Sequence, residues 1–242
     1  MRLPVAGGGG ATPLRLDRTV GRVRFALTGG YDLAVGAQAS GGREAVATAL
    51  GVPVAALRLP RQVHADRVVA ADGPWPDGGP EADGVVMSAP GLVAGVLAAD
   101  CMPLLLGDPD RGLAAAVHVG RRGLHLGIAG VAVAALAAAG ARRLLALPGP
   151  TVCGRCYEVP EPMRDEVAAA VPAAASATPR GTAALDIPAG VGDQLMRAGR
   201  AHGVDVEVDT SWAACTVEDP AWFSHRRDAP TGRHAGLVAV AP

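Results

Sequence analysis

The sequence has few aromatic residues and almost no excess charge of either sign. Phenylalanine, tryptophan and tyrosine make up 3% of the 242 residues, and the formal net charge is −1 at pH 7. A nucleic-acid-binding surface usually combines a basic stripe with aromatic side chains, so nucleic acid is not expected as a partner. Hydrophobic residues make up 50% of the chain, which is enough for a sizeable core. Because few of them are aromatic, this core must be built from alanine, valine and leucine.

The sequence also lacks a long apolar run and a disulfide framework. Its most apolar segment, residues 127–141, is shorter than the roughly 18 residues that suggest a membrane span. Residues 1–20 contain no apolar stretch of signal-peptide length and predict a flexible tail, so one domain is expected over residues 21–242, in the cytoplasm. Four cysteines in a chain of this length are not a disulfide scaffold, and cytoplasmic thiols stay reduced.

Apolar runs separated by turns rich in glycine and proline indicate a mixture of strands and helices. The pattern predicts helices over residues 41–51, 124–141, 161–171 and 187–203. It predicts strands over residues 22–27, 84–88, 92–99, 102–108, 112–120, 142–150, 204–209 and 234–241, and two short strands within 56–71. Strict βαβ alternation is missing, which favours a single α+β (layered α/β) domain with a mixed β-sheet core flanked by helices.

Three side chains that can bind metal interrupt these apolar runs. Asp100 and Cys101 separate two predicted strands, His118 lies in a third, and His64 lies farther upstream. A site made from all of them would be assembled from distant segments. Two imidazoles and a thiolate are good zinc ligands, and three protein ligands leave a fourth position for water or substrate. Zinc would lower the pKa of water to about 7, and Asp100 would orient a ligand or accept a proton.

A purely structural interpretation of the same side chains stays open at this point. A buried cysteine such as Cys101 often serves as a small hydrophobic residue. A histidine at a strand end, such as His118, is often a hydrogen-bonded core residue. The spacing by itself does not decide between a metal site and core packing.

The remaining three cysteines lie nearer the C-terminus. Cys153 and Cys156 form a C-x-x-C pair, which is typical of redox centres or of half a zinc ribbon. A second C-x-x-C is missing from the sequence, and loop packing is favoured for this pair. Cys215 has no histidine close to it in the sequence, so a structural role is favoured over that of a nucleophile.

Arginines are concentrated in residues 120–127 and 222–236, together with histidines. Guanidinium groups bind phosphate and carboxylate through paired hydrogen bonds. A solvated surface segment would have a similar composition, and that alternative stays open. The candidate phosphate-binding residues are Arg122, Arg226, Arg227 and Arg233.

Several segments occur in the order and spacing of a known family. They include "RQVHADRVV", "AADCMPLLLGDP", "AAVHVGRRGL", "GPTVCGRCYEV" and "CTVEDPAWFSHRRDAPTGR". From about residue 58 to its C-terminus the chain resembles the laccase-domain family. Members of that family are also labelled polyphenol oxidase, YfiH-like, purine nucleoside phosphorylase or peptidoglycan editing factor.

The resemblance implies a fold, a metal and an activity. It implies a single domain with a mixed β core, and one zinc ion per chain held by His64, Cys101 and His118. The implied substrates are small molecules: adenosine, inosine or methylthioadenosine with phosphate for phosphorolysis, and adenosine for hydrolytic deamination. Asp100 would take part in catalysis as a proton acceptor. Copper suits the ligand set less well than zinc, because no axial methionine position is evident.

The N-terminal part of the chain departs from the family pattern. The arginine that usually precedes Gly29-Gly30 is missing, Ala34 replaces an asparagine, and Arg121 stands where a tryptophan is expected. Two alternatives therefore stay open. The first is hydrolysis of an amide or a peptidoglycan precursor at the same site. The second is a non-catalytic binding module in cell-wall assembly or division.

Overall fold

The computed structural model of this protein describes residues 13–29, 40–71, 73, 75 and 79–241. Within them the chain forms thirteen strands: β1 (Leu14–Val20), β2 (Val23–Thr28), β3 (Leu57–Arg58), β4 (Val68–Ala70), β5 (Gly84–Met87), β6 (Val93–Ala98), β7 (Met102–Asp108), β8 (Leu113–Val119), β9 (Arg143–Pro148), β10 (Ala175–Ala177), β11 (Ala183–Leu185), β12 (Asp205–Val208) and β13 (His234–Val240).

Six α-helices accompany these strands in the same part of the chain: α1 (Ser40–Leu50), α2 (Arg121–Leu126), α3 (Ile128–Ala138), α4 (Glu161–Ala170), α5 (Ile187–His202) and α6 (His225–Asp228). Local sequence explains both ends of α5. The Asp186 side chain accepts a hydrogen bond from the Ala189 N–H at the start of α5, and Gly203 ends that helix in the left-handed conformation. None of the described helices is long and apolar enough to cross a bilayer.

Eleven strands form two mixed sheets. One sheet has the order β1-β2-β13-β6-β3, the other has the order β12-β9-β7-β8-β5-β4, and β10 and β11 form a separate pair. Most neighbours are antiparallel, but β3 with β6, β4 with β5 and β9 with β12 are parallel. The predicted α+β, layered α/β architecture is therefore confirmed.

The two sheets pack face to face, and helices cover their outer faces. Leu105 of β7 belongs to the cluster between the sheets, together with Phe25 of β2. Its neighbours Leu104 and Leu106 pack instead with Ile128 of α3, as the alternation of side chains along a strand requires. α1 covers the outer face of the other sheet. Because both faces of β7 and β8 are buried, these strands consist of continuous apolar residues.

One glycine permits the close approach of the two sheets. A Cβ atom on Gly107 of β7 would lie 2.7 Å from Cζ of Phe25, which is fully buried. A side chain at this position would have to displace this buried ring. The absence of a side chain at Gly107 therefore makes room for the one buried phenylalanine.

Two predictions of local structure are wrong. The tail predicted over residues 1–20 does not include Leu14–Val20, whose alternating side chains form β1 and pair antiparallel with β2; residues 1–12 lie outside the described residues. The helix predicted over residues 124–141 is two helices, because Gly127 takes a φ of 86° and ends α2 before α3 begins. The pair of β10 and β11 was not predicted, since its strands are only three residues long.

Candidate active site and metal centre

Asp100 and Cys101 interrupt the apolar sequence because they form the connection between the two sheets. They follow β6 of the five-stranded sheet and precede β7 of the six-stranded sheet. Asp100 has a φ of 83°, in the left-handed region. Its carbonyl accepts hydrogen bonds from the Thr151 hydroxyl at 2.7 Å and the Val152 N–H at 3.0 Å. The turn is therefore held rigidly, and it presents Cys101 at the edge of the sandwich.

His118 lies near the end of β8, buried and paired with a carboxylate. Its Nδ1 atom lies 2.8 Å from Oδ1 of Asp83, and the two side chains are 3% and 0% exposed. A hydrogen bond from Nδ1–H to a carboxylate fixes the tautomer and leaves Nε2 to bind another group. The Asp83–His118 pair thus prepares this imidazole as a ligand.

The same carboxylate holds the loop that carries His64. Asp83 accepts backbone N–H hydrogen bonds from Val63 at 3.1 Å, from His64 at 3.0 Å and from Ala65 at 2.8 Å. His64 has a φ of 58°, a strained conformation for a histidine that these bonds maintain. Sequence reasoning did not identify Asp83. The sequence feature that could have identified Asp83 is the position of an acidic residue directly before the buried strand β5.

The three predicted ligands do come together. The ligand atoms of His64, Cys101 and His118 all lie within 4.8 Å of one another. His64 Nε2 is 3.8 Å from Cys101 Sγ, and the two imidazole rings are perpendicular with centroids 4.8 Å apart. His64 is exposed while His118 is buried, so the cluster opens to solvent on the His64 side. The group could hold a metal ion and leave room for a further ligand.

Charges within the cluster favour a thiolate beside an imidazolium when no metal is bound. Burial raises the pKa of the Cys101 thiol, but the neighbouring His118 and His64 lower it to about 6. Burial lowers the pKa of His118, but Cys101 and Asp83 raise it to about 9. Burial also raises the pKa of Asp83. Its hydrogen bonds with His118 and with backbone N–H groups have a larger opposite effect, so the pKa of Asp83 lies below its usual value.

A cavity of about 730 Å³ lies over the cluster. Its lining includes four arginines and also Leu97, Val152, Tyr157 and Ile187. An arginine-lined cavity with apolar residues in its lining suits a substrate that combines an anionic part with a flat hydrophobic part. The arginines are Arg61, Arg121, Arg226 and Arg233.

Asp100 also lines the cavity, but its carboxylate is occupied. Oδ1 accepts a hydrogen bond from the Thr216 hydroxyl at 2.6 Å, and Oδ2 accepts one from the Arg226 backbone N–H at 2.7 Å. Arg226 lies in the first turn of α6, so Asp100 fixes the start of this short helix. The structure thus gives Asp100 a positioning role, and its role as proton acceptor stays a prediction.

Two of the four predicted phosphate-binding arginines line the cavity. Arg226 places its guanidinium carbon 4.6 Å from the centre of the Tyr157 ring, and Arg233 also lines the cavity. Arg227 is turned away, because its guanidinium donates to the carbonyls of Thr216, Asp219 and Trp222.

Arg122 is also placed differently from the prediction. It is exposed and absent from the lining, whereas its neighbour Arg121 lines the cavity. Successive residues of α2 project about 100° apart around the helix axis, so only one of the two can face the site. Of the N-terminal departures from the family pattern, the one at Ala34 lies outside the described residues.

The fold and the site define a single-domain protein with two mixed sheets and an open His₂Cys centre below a basic cavity. Residues 36–241 match the family described as multi-copper polyphenol oxidoreductase laccase, and the chain belongs to this family. A protein named purine nucleoside phosphorylase from Streptomyces coelicolor is 49% identical over 199 residues, covering 81% of this chain and 80% of its own. A protein of the same name from Mycobacterium tuberculosis is 44% identical over 198 residues, covering 81% and 77%.

Solved structures share the fold. A protein from Neisseria meningitidis superimposes with a TM-score of 0.78 at 24% identity, covering 95% of this chain and all of that one (100%). YlmD from Geobacillus stearothermophilus gives a TM-score of 0.76 at 23% identity, covering 91% and 92%. The expected YfiH-like fold is therefore confirmed.

Proposed function

We propose that this protein is a zinc-dependent purine nucleoside phosphorylase. The observation that carries the proposal is the His64–Cys101–His118 cluster at the base of a cavity lined by arginines. The reaction would convert a purine nucleoside and inorganic phosphate into the free base and ribose 1-phosphate. Relatives with 44% and 49% identity carry the name purine nucleoside phosphorylase, which supports this assignment.

The donor set fits zinc in its chemistry and its spacing. With zinc–sulfur and zinc–nitrogen bonds of about 2.3 and 2.0 Å, a tetrahedral ion separates sulfur from nitrogen by about 3.5 Å. The measured separation of Cys101 Sγ and His64 Nε2 is 3.8 Å. Two imidazoles, one thiolate and an open side are typical of catalytic zinc. Bound there, zinc would supply Lewis-acid chemistry and a lowered pKa for water.

Arg121, Arg226 and Arg233 are the proposed phosphate-binding residues. Arg226 has the best-defined position, since Tyr157 supports its guanidinium and Asp100 accepts its backbone N–H. The paired N–H donors of a guanidinium match two oxygens of a phosphate, and its positive charge offsets the negative charge of the phosphate. For phosphorolysis, Asp100 would act through Arg226 as a positioning residue.

Phosphorolysis needs the phosphate and the glycosidic bond held in line. A phosphate oxygen forms a bond to the anomeric carbon, the C–N bond breaks, and its electron pair leaves with the base, which takes up a proton. The lining residues Leu97, Tyr157 and Ile187 would bind the flat base and exclude water from the glycosidic bond. Exclusion of water from the anomeric carbon favours attack by phosphate there over hydrolysis.

Hydrolytic deamination of adenosine is a second proposed activity of the same centre. It rests on the exposed His64 side of the cluster, which admits both water and substrate. In this reaction water adds to C6 of the base and ammonia leaves. Asp100, at the cavity wall, would accept the proton of the water at a carboxylate oxygen.

Product analysis with adenosine, inosine and methylthioadenosine, with and without phosphate, tests these proposals. Phosphate-dependent formation of base and ribose 1-phosphate is expected, together with inosine from adenosine. Arg226→Met and Arg121→Met should raise the KM for phosphate at least about tenfold, as loss of a charged hydrogen bond predicts. Arg122→Met, an exposed neighbour outside the cavity, is the matched control.

The outcome also separates the alternatives. Turnover that persists in Cys101→Ala would reject the metal role. Hydrolysis of amides or peptidoglycan precursors without nucleoside turnover would favour a hydrolase at the same residues. No turnover of any of these compounds, with a binding partner retained by Cys101→Ala, would favour a non-catalytic module.

A further inference from the structure

A second group of metal-binding side chains lies on another surface of the molecule. The sulfur atoms of Cys153, Cys156 and Cys215 and a carboxylate oxygen of Glu218 all lie within 4.8 Å of one another. We propose that these four residues bind a second zinc ion, which has a structural role. The protein would then hold two zinc ions per chain, whereas the resemblance to its family implies one.

Main-chain hydrogen bonds bring the four side chains together. The N–H groups of Cys156 and Tyr157 both donate to the Cys153 carbonyl, at 3.0 and 2.9 Å, so the C-x-x-C segment forms a tight turn with both thiols on one side. Thr151 forms a parallel bridge with Cys215, and this bridge holds the second segment beside the first. Residues more than sixty positions apart in sequence thus form one site.

The distances match tetrahedral zinc with sulfur and oxygen ligands. For bonds of about 2.3 Å to sulfur and 2.0 Å to oxygen, the two ligand atoms lie about 3.5 Å apart. Oε1 of Glu218 is 3.4 Å from Sγ of Cys156 and 3.9 Å from Sγ of Cys153. Both separations are close to the value for tetrahedral zinc, and the Cys215 sulfur lies within 4.8 Å of these atoms.

The chemistry of the group also suits a closed zinc site. All four cysteines of the chain are free thiols in the structure, so three of them are available as thiolate ligands here. Arg155 places a guanidinium nitrogen 3.0 Å from Oε1 of Glu218, and its charge offsets part of the negative charge of the ligands. Four protein ligands leave no open position, which is typical of a structural site rather than a catalytic one.

The position of this second centre indicates what it stabilises. The segment with Cys215 continues to Thr216, whose hydroxyl donates to Asp100. The segment with Cys153 and Cys156 continues to Tyr157, which supports Arg226. A zinc ion between the segments would hold both walls of the cavity in register. This inference does not depend on the reaction proposed above.

Metal content of the untagged full-length protein, measured by plasma mass spectrometry, tests the proposal. Two zinc ions per chain are expected in the wild type, one in Cys101→Ala, one in the Cys153→Ser/Cys215→Ser double variant, and none in the combined triple variant. Glu218→Gln should release the second ion at lower chelator concentration. Glu158→Gln is the matched control, because Glu158 is a partly exposed acid two positions after Cys156. This variant should release the second ion at the same chelator concentration as the wild type.

Cobalt spectroscopy of Cys101→Ala gives an answer that does not depend on the folding of the variants at Cys153 and Cys215. The only thiols left in that variant are those of the second group. A thiolate-to-cobalt charge-transfer band with tetrahedral ligand-field absorption is the expected result. One zinc in the wild type with none in Cys101→Ala, a missing cobalt band, or a disulfide among these cysteines in metal-free protein would each overturn the proposal.

Discussion

Asp83 Oδ1 lies 2.8 Å from Nδ1 of His118, and both side chains are buried. The same carboxylate accepts three backbone N–H groups of the loop that carries His64. One side chain therefore orients two of the three ligands of the candidate metal centre. Partners of this kind fix the tautomer and position of a ligating histidine, and their loss weakens metal binding.

Asp83→Asn should reduce metal affinity by about 10- to 100-fold, as is typical for such partners. An asparagine has one acceptor oxygen, and its amide nitrogen would face donors that now need a carboxylate oxygen. Competition with a chromogenic chelator measures the change. Asp66→Asn, an exposed acid on the same loop, serves as the control. Equal affinities for the two variants would show that Asp83 does not prepare the ligands.

Gly120→Ala should impair the metal centre while leaving the fold intact. A Cβ atom there would lie 2.9 Å from Cδ2 of His64 and 3.0 Å from Sγ of Cys101, closer than normal contacts. The ligands would have to separate, so the zinc content of the purified protein should fall. Gly192→Ala in α5 meets nothing within 4 Å and is the control, with a small gain in thermal stability. Full zinc content in Gly120→Ala would contradict the ligand geometry.

Asp100→Asn separates a positioning role from proton transfer. Asparagine has one acceptor oxygen where Asp100 has two, so the Arg226 N–H and the Thr216 hydroxyl can no longer both donate to it, at a cost of about 1–3 kcal/mol. If Asp100 acts through Arg226, the KM for phosphate should rise about 5- to 100-fold. The kcat should change little, and the metal content should stay the same. A fall in kcat with an unchanged KM would instead assign Asp100 to proton transfer.

His234 should make the protein less stable in acid. It is fully buried against Trp222, and burial lowers its pKa from 6.5 to about 4. Between these values the unfolded chain binds a proton that the folded protein does not, so stability is present above pH 6.5 and is lost as the pH falls toward 4. At pH 5 the loss amounts to about 2 kcal/mol.

Urea unfolding of metal-free protein at pH 7.5 and pH 5 measures this effect. His234→Leu removes the titrating group, and its free energy of unfolding should fall less between the two pH values than that of the wild type. The other titrating groups are common to both proteins, so their contributions cancel in the comparison. Parallel losses in the two proteins would show that His234 does not cause the acid sensitivity.

The order of most strands and helices was predictable because their residues are either continuously apolar or amphipathic. β7 and β8 are buried on both faces, and α5 has a capping aspartate before it and a glycine after it. β1 was missed because it follows closely on a glycine run, which is typical of a flexible tail. The break at Gly127 was missed because the composition on both sides of it is helical.

The sequence by itself determined which side chains could bind metal, because histidine and thiol groups stand out in apolar strands. It also carried the family resemblance, which agreed with the grouping of His64, Cys101 and His118. Tertiary structure alone decided that Asp83 supports both histidines, that Arg121 rather than Arg122 faces the cavity, and that Cys215 joins Cys153 and Cys156. The physical reason is that side-chain direction and long-range pairing depend on how distant segments pack, and local sequence does not specify that packing.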